Sequence, residues 1–201
     1  MALTTPVRPA LAPPPEPRRP RVLIIGTALA TAATVMAFIG LLAIYIAQRS
    51  DALANDNGWL PEGTVIPLTP PNMAFATLLM SIVTMQWGVY AIKNRDRTNA
   101  YVALAITIVL GLAFINSTAY LYTQMGLGIA DSIAGVLIYA ISGAHLLMTG
   151  AGLAFAALVT FRALGGDFSP RDHEGLTAAS LFWYATVAVY ALIWYTIYIT
   201  K

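Results

Sequence analysis

The sequence predicts an all-α integral membrane protein, a bundle of five transmembrane helices. Of its 201 residues 58% are hydrophobic and only 10% are charged, whereas soluble domains carry about 25% charged residues. The mean hydropathy is +0.71, and all 11 basic and 9 acidic residues fall outside five long uncharged windows. Because lipid cannot satisfy backbone polar groups, each window should be a helix. The short alternating segments that mark a membrane β-barrel are absent.

The amino-terminal residues 1–20 are rich in proline and hold Arg8, Arg18 and Arg19. Proline cannot continue a helix and this composition cannot pack a core, so we predict a disordered cytoplasmic tail. A purely solvated tail and a segment that docks a partner both fit this composition. Residues 21–201 form a single predicted transmembrane domain.

The five windows are each long enough to cross a bilayer, since about 20 residues suffice at 1.5 Å per residue. The third window stays uncharged as far as residue 130. We place the five helices over residues 22–48, 71–92, 99–123, 132–161 and 175–200.

The basic residues are divided unequally between the two ends of these helices. Arg49 and Lys201 lie on one side, and the other nine lie on the opposite side: Arg8, Arg18, Arg19, Arg21, Lys93, Arg95, Arg97, Arg162 and Arg171. Lys and Arg favour the cytoplasmic side, so we predict a cytoplasmic N-terminus and an external C-terminus. The loop after the first helix is then external, and its Trp59 is an expected anchor at the membrane interface.

His145 is the only Asp, Glu, Lys, Arg or His side chain inside any window. An ionisable group in hydrocarbon is costly and therefore indicates a functional or structural role. A metal or haem site needs further ligands. His173 lies in a predicted cytoplasmic loop, and Met148 shares one helix face with His145 and cannot oppose it across a haem. We expect His145 to hydrogen-bond a neighbouring helix or a lipid headgroup, and we expect no catalytic, cofactor or metal site in this chain.

Several other kinds of chemistry lack the residues they need. The chain has no cysteine, which excludes disulfides, iron–sulfur clusters and thiolate-ligated metals. A net charge of +2, with no basic run interleaved with aromatics, does not indicate nucleic-acid binding. No carboxylate lies inside a window, so a proton relay of buried acids is not expected.

The fourth predicted helix is dense in small residues: Gly135, Ala140, Gly143, Ala144, Gly150, Ala151 and Gly152. Gly143 and Gly150 lie seven residues apart, and Gly135 and Gly143 lie eight apart. These spacings let another helix approach closely. Packing inside the bundle and docking onto another subunit are both compatible with them.

Taken together, these residues resemble subunit III of the haem-copper cytochrome c oxidases, in the five-helix form of many bacteria. The similar motifs follow the family's order along all five helices. They are Tyr45 and Arg49 with Trp59 and Pro61 at the exit of the first helix, and then Thr77-Leu78-Leu79-Met80-Ser81, Gly126-Leu127-Gly128, Ser142-Gly143-Ala144-His145, Phe161-Arg162-Ala163-Leu164 and Ala178-Ala179-Ser180-Leu181-Phe182-Trp183. Each motif is weak alone, and their shared order makes the set more specific.

The departures from this family concern ionisable residues. Met148 stands where a second histidine is usual, Tyr184 where histidine usually follows tryptophan, and Val187 where an acidic residue is common. The buried glutamate of the family's middle helix aligns with Tyr120 or Ala119. The chain therefore keeps the family's small and aromatic packing residues while most of its intramembrane ionisable residues are replaced.

The resemblance implies an accessory, non-catalytic subunit of an aerobic oxidase that transfers electrons to O2 and pumps protons. Haem and copper would be held by partner subunits I and II. The resemblance also implies a bacterial plasma membrane location and phospholipid bound in a cleft between the first two helices and the rest. The residues expected to make packing or lipid contacts are His145, Gly143, Trp183, Tyr120 and Trp59.

Three alternative functions remain open at this point. The first is a similar companion subunit of a nitric oxide reductase or a divergent oxidase. The second is a small transporter or channel, against which the shortage of midplane charge argues. The third is a membrane enzyme acting on lipid, for which the sequence offers no nucleophile–base pair.

Overall fold

A computed structural model describes residues 21–55, 58–169 and 172–200, so the predicted tail over residues 1–20 lies outside the described residues. Within that part the chain forms five α-helices, and the fifth continues as a short π-helix. Their bounds are α1 Val22–Ala54, α2 Thr69–Lys93, α3 Arg97–Gln124, α4 Ile133–Leu164, α5 Glu174–Ile193 and the π-helix Trp194–Ile199. Each of the five is long and apolar enough to cross a membrane, so the all-α fold with five candidate spans is confirmed.

The first helix extends further than its uncharged window. It continues through Arg49 and Asp51 to Ala54, whereas we placed its end at residue 48. Charged residues end a lipid-compatible segment, but they do not end a helix that can project into water. At 1.5 Å per residue, 33 residues span about 50 Å, well above the roughly 30 Å hydrocarbon core. The last predicted segment also differs, because residues 194–199 are π-helical rather than α-helical.

Two of the helix starts, those of α3 and α4, have side-chain caps. The Asp96 side chain accepts a hydrogen bond from the Asn99 backbone N–H, at 3.1 Å, at the start of α3. The hydrogen bonds from the Asn99 side chain and backbone lower the pKa of this exposed carboxyl. Ser132 caps α4 in the same way, accepting from Gly135 N at 3.0 Å. Such caps satisfy backbone donors that lack a partner in the first helical turn.

The end of α4 depends on a glycine in the left-handed conformation. Gly166 has φ +83°, and its N–H donates to Ala163 O while Asp167 N–H donates to Arg162 O. This pair of bonds is the Schellman motif that closes many helices. An ion pair of 3.2 Å between Arg162 and Asp167 supports the turn towards α5.

The fifth helix is the central element of the bundle. It packs against α1, α4 and α2, whereas α2 packs chiefly against α3. Of the most apolar stretch of α5, 56% is buried inside the chain, against 11% for α1. The expected lipid cleft requires that α1 and α2 form a pair set apart from the other helices. They do not form such a pair, because α1 packs on α5 and α4 whereas α2 packs chiefly on α3.

The buried apolar side chains fall into two groups. The first, which we call the four-helix cluster, joins α2, α3, α4 and α5 around residues such as Leu78, Phe114 and Trp183. The second, the α1 cluster, joins Phe38 and Leu42 to Ile138 and other residues of α3, α4 and α5. The α1 residues among the described core side chains belong to this second group, so α1 is held by apolar contacts mainly along its second half.

The first turn of α1 is held by a carboxylate from another helix. Ile24 N–H donates to Glu174 Oε1 at 3.1 Å, and Glu174 is itself the first residue of α5. The N-cap residue Arg21 makes no side-chain capping bond. Because a carboxylate near helix N-termini is stabilised by the partial positive charge there, Glu174 serves both helices at once.

Candidate functional site

Trp183 lies at the centre of the four-helix cluster and is 0% exposed. It is carried by α5, and its indole Nε1–H donates to Ser81 Oγ on α2 at 2.9 Å. Its ring lies against Gly111 of α3 and Gly152 of α4. One side chain of α5 therefore contacts α2, α3 and α4.

The two glycines create the space that the indole occupies. A Cβ added at Gly111 would lie 2.8 Å from Trp183 Cη2, and one added at Gly152 would lie 3.0 Å from Cε3. Glycine inside a helix weakens it by roughly 0.5–1 kcal/mol relative to alanine. That cost is offset here by close packing of a large aromatic ring between two backbones.

Hydroxyl groups extend this centre from α5 towards α3. The Ser81 hydroxyl donates to Leu78 O at 2.6 Å, while its oxygen accepts from the indole. One turn away, Thr84 Oγ1 and Thr107 Oγ1 are 2.7 Å apart, which joins α2 to α3. Thr107 also donates to Ala103 O at 2.9 Å. Polar groups buried in this way are normally hydrogen-bonded, and here two of the bonds, Trp183 to Ser81 and Thr84 to Thr107, cross between helices.

His145 lies on α4 and is 1% exposed. Its Nε2 lies 2.9 Å from the backbone oxygen of Thr186 on α5. Because a carbonyl oxygen can only accept, Nε2 must carry the hydrogen. The ring also stands edge-on to Phe114 at 5.4 Å and lies 5.3 Å from Tyr190. The polar partner that the structure gives His145 is thus a neighbouring helix.

His145 and Trp183 are brought close by a single turn of α5, since Thr186 lies three residues after Trp183. Phe114 packs edge-on against both His145 and Tyr190. Two of the five residues singled out from sequence therefore belong to one aromatic and polar centre.

The other three candidates lie elsewhere. Trp59 Nε1–H donates to the Tyr45 hydroxyl at 3.1 Å, in the loop beyond α1, and the two rings meet edge-on at 5.3 Å. Tyr120 is 57% exposed on α3. A Cβ added at Gly143 or at Gly150 would meet nothing within 4 Å. The close approach of another helix to α4 occurs at Gly152 instead, and Gly135 lies against the loop that precedes α4.

Three aromatic side chains of α5 and its π-helical end donate hydrogen bonds to α2. Trp194 Nε1–H donates to Asn72 Oδ1 at 2.8 Å, and the Tyr190 hydroxyl donates to Pro71 O at 3.3 Å. Further along α5, the Tyr184 hydroxyl donates to Gln86 Oε1 at 2.6 Å. Tyr184, a departure from the resembled family, thus makes an interhelical bond of its own.

Two further positions at which the chain departs from the family hold apolar side chains packed in the core. Met148 is buried in the α1 cluster, and Val187 is buried in the four-helix cluster. Over the described ranges, no group of three or more His, Asp or Glu side chains could hold a metal ion. The aromatic and polar centre holds the helices together through van der Waals contacts and interhelical hydrogen bonds.

Sequence reasoning did not single out Ser81 and Gly111 as parts of this centre. The sequence nevertheless contains a feature that indicates a packing role for each of the two residues. Gly111 is a glycine in the interior of a long apolar helix, which often marks a close approach. Ser81 is a small hydroxyl in the middle of a membrane span, where it needs a partner or its own helix backbone.

Comparison with known proteins extends over nearly the whole chain. The family model for cytochrome c oxidase subunit III matches residues 20–201. Cytochrome c oxidase subunit 3 of the sea urchin Strongylocentrotus purpuratus is 33% identical over 143 residues, which cover 70% of this chain and 55% of the relative. That of Synechocystis sp. is 28% identical over 182 residues, covering 90% of this chain and 76% of the relative.

The chain spans about half the length of the sea urchin relative, with 55% of it covered. The turtle Pelomedusa subrufa has a subunit 3 that is 30% identical over 177 residues, 86% of this chain and 67% of the relative. The match includes all five described helices and the residues that build their aromatic and polar centre. The chain therefore belongs to the cytochrome c oxidase subunit III family.

Proposed function

We propose that this chain is an accessory, non-catalytic subunit of an aerobic terminal oxidase in a bacterial plasma membrane. It docks beside the catalytic subunit I, with subunit II in the same complex, and haem and copper are held by those partners. The observation that carries this proposal is the family match over residues 20–201. The complex would transfer electrons to O2 and pump protons, and this chain would stabilise it and hold structural phospholipid.

The surroundings of His145 support a structural role. Its Nε2 is engaged by Thr186 O at 2.9 Å, and its ring is enclosed by Phe38, Phe114 and Tyr190. Ligation of a metal through Nε2 would require breaking that bond and moving α4 away from α5. The side chain therefore acts as a polar link between two helices.

Purification of the tagged chain in mild detergent tests the proposal, because an oxidase subunit should bring haem a and copper absorbance with it. We expect His145→Ala to leave this absorbance per complex unchanged and to lower stability by roughly 1–3 kcal/mol. The physical reason is loss of an interhelical bond and of a buried ring. Absorbance spectra and thermal inactivation of the purified complex measure both effects.

Leu147→Ala is the matched control, since Leu147 lies on the same helix and is 78% exposed. It should change neither the spectrum nor the stability. A colourless, homogeneous oligomer would remove the oxidase proposal. Loss of a haem band in the His145 variant alone would mean that His145 is a ligand.

The orientation that we propose has a cytoplasmic N-terminus and an external C-terminus. The connection between α2 and α3 carries Lys93, Arg95 and Arg97, which supports placing it inside. Helix order then puts the α4–α5 connection on the same side.

Single-cysteine labelling tests this orientation cleanly, because the chain has no cysteine of its own. Thr98 and Glu62 are both exposed, near the α2–α3 connection and in the α1–α2 loop respectively. In intact cells we expect a membrane-impermeant maleimide to label Glu62→Cys and to leave Thr98→Cys unlabelled. After permeabilisation both should react, and the reverse pattern in intact cells would invert the topology.

A further inference from the structure

Arg95, in the connection between α2 and α3, has a left-handed backbone that L side chains rarely adopt. Its φ is +62°, and among the residues that the structure describes no other side-chain-bearing residue has a positive φ. Arg95 N–H donates to Ile92 O at 3.1 Å, and Asp96 N–H donates to Ala91 O at 2.9 Å. This pair of bonds is the Schellman motif, and Arg95 holds the position that glycine usually takes. Because a left-handed backbone crowds Cβ against a carbonyl oxygen, Arg95 is strained.

The end of α4 contains the unstrained form of the same motif. Gly166, with φ +83°, stands there in the position that Arg95 holds at the end of α2. The two helix ends are also neighbours in space. The Tyr101 hydroxyl of α3 donates to Ala163 O at 3.1 Å, and a Cβ added at Gly166 would lie 3.7 Å from Arg97 Nη1. One side of the bundle therefore has two equivalent turns, one built with glycine and the other with arginine.

Folding does not require an arginine in this turn, since glycine closes it without strain. Membrane orientation does not require it there either, because the basic residues of a short connection act through their number rather than their exact position. Lys93 and Arg97 supply such charge from helical residues. The Arg95 side chain is exposed, and within the described ranges it takes part in no hydrogen bond or ion pair. A strained residue with no internal contact points to a contact made outside the chain.

The charge around Arg95 selects an anionic partner. Lys93, Arg95 and Arg97 are all exposed, while the one carboxylate among them, that of Asp96, is engaged by the Asn99 side chain and backbone. A guanidinium pairs best with a carboxylate, through two parallel N–H···O bonds. Arg95 is the middle residue of the connection, so it lies beyond the helix ends, where the phosphates of the bilayer surface are found. The geometry therefore favours a carboxylate of a polypeptide in the aqueous phase.

We propose that the α2–α3 connection docks an acidic segment of a partner polypeptide, with Arg95 paired to a carboxylate of that segment. Lys93 and Arg97 flank the contact. The strain at Arg95 destabilises the isolated chain, and the contact offsets it in the complex. This inference goes beyond the proposed oxidase role, because it requires a partner with an acidic segment and does not require haem or copper.

Arg95→Gly tests the strain and the docking together. We expect it to raise the midpoint of thermal unfolding of the isolated chain by a few degrees, because glycine relieves the strained backbone. In the same variant, the amount of partner polypeptide that co-purifies from membranes in mild detergent should fall several-fold. Arg95→Asn, which tolerates a left-handed backbone, should show the same loss of partner.

Lys93→Gln is the matched control, because it removes one positive charge from the end of α2 without changing a strained residue. It should leave the thermal midpoint unchanged and lower the co-purified partner less than Arg95→Gly does. An Arg95→Gly chain no more stable than wild type would show that Arg95 is unstrained, and this would overturn the proposal. So would a stabilised Arg95→Gly chain that retains its partner in full.

Zero-length cross-linking of Arg95→Lys identifies the partner's carboxylate directly. A water-soluble carbodiimide joins the introduced amine to a nearby carboxylate as an amide and is itself converted to a urea by taking up the carboxylate oxygen. Mass spectrometry of the digested membranes should then find an acidic peptide of another polypeptide attached at position 95. An adduct with lipid alone, or no adduct at this position, would contradict a polypeptide partner.

Haem absorbance of the same preparations separates this proposal from the oxidase role. A colourless preparation that loses its partner on Arg95→Gly substitution contradicts the oxidase role and supports the docking site. A normal haem spectrum together with an undiminished partner in the Arg95→Gly chain contradicts the docking site and leaves the oxidase role intact.

Discussion

Replacing Trp183 with alanine is expected to destabilise the bundle by about 3–5 kcal/mol, the range for removing a large aromatic side chain from a core. Trp183 is 0% exposed and lies against Gly111 and Gly152. Neither glycine has a side chain that could relax into the cavity. Thermal unfolding of the purified chain, followed by size-exclusion chromatography after heating, measures the loss.

Two further variants separate the packing of Trp183 from its hydrogen bond. Trp183→Phe keeps a buried ring and loses the bond to Ser81 Oγ, so it should cost less than Trp183→Ala. A double-mutant cycle with Ser81→Ala then isolates the indole–hydroxyl interaction, which should lie in the range of about 0.5–1.5 kcal/mol. Trp87→Ala, at a position 39% exposed on α2, is the control. If it were as damaging as Trp183→Ala, the central role of Trp183 would be wrong.

Gly111→Ala is expected to destabilise the bundle, because overpacking a core costs roughly 1–3 kcal/mol. The higher helix propensity of alanine offsets part of that cost. The new Cβ would lie 2.6 Å from Leu153 Cδ2 and 2.8 Å from Trp183 Cη2. Leu153 can rotate away, but the indole is held by its bond to Ser81 and by Gly152. α3 must therefore move outwards. The same heating assay measures the effect.

Gly143→Ala is the paired control, because its new Cβ would meet nothing within 4 Å. In the isolated chain it should be neutral or slightly stabilising, since alanine favours helix over glycine. A Gly111 variant as stable as wild type would show that the indole can shift freely. A Gly143 variant that is stable alone but fails to assemble with oxidase partners would locate a contact outside this chain.

Most of the fold was predictable from the sequence because lipid imposes a simple length rule. A span needs about 20 apolar residues, and charged residues interrupt each one. The same rule cannot place helix ends in water, which is why the extension of α1 to Ala54 was missed. Family membership also followed from short motifs in order, although none of them identified Ser81 or Gly111 as partners of Trp183.

The sequence by itself determined that there are five spans, that His145 is the sole ionisable residue inside the predicted windows, and that the family's packing residues are kept. Only the tertiary structure decided that Gly152 rather than Gly143 is a tight contact. It also decided that His145 meets Thr186 and that α1 packs on α5 and α4. The physical reason is that lipid is as apolar as a protein core, so the sequence of a membrane helix does not mark which of its faces is buried.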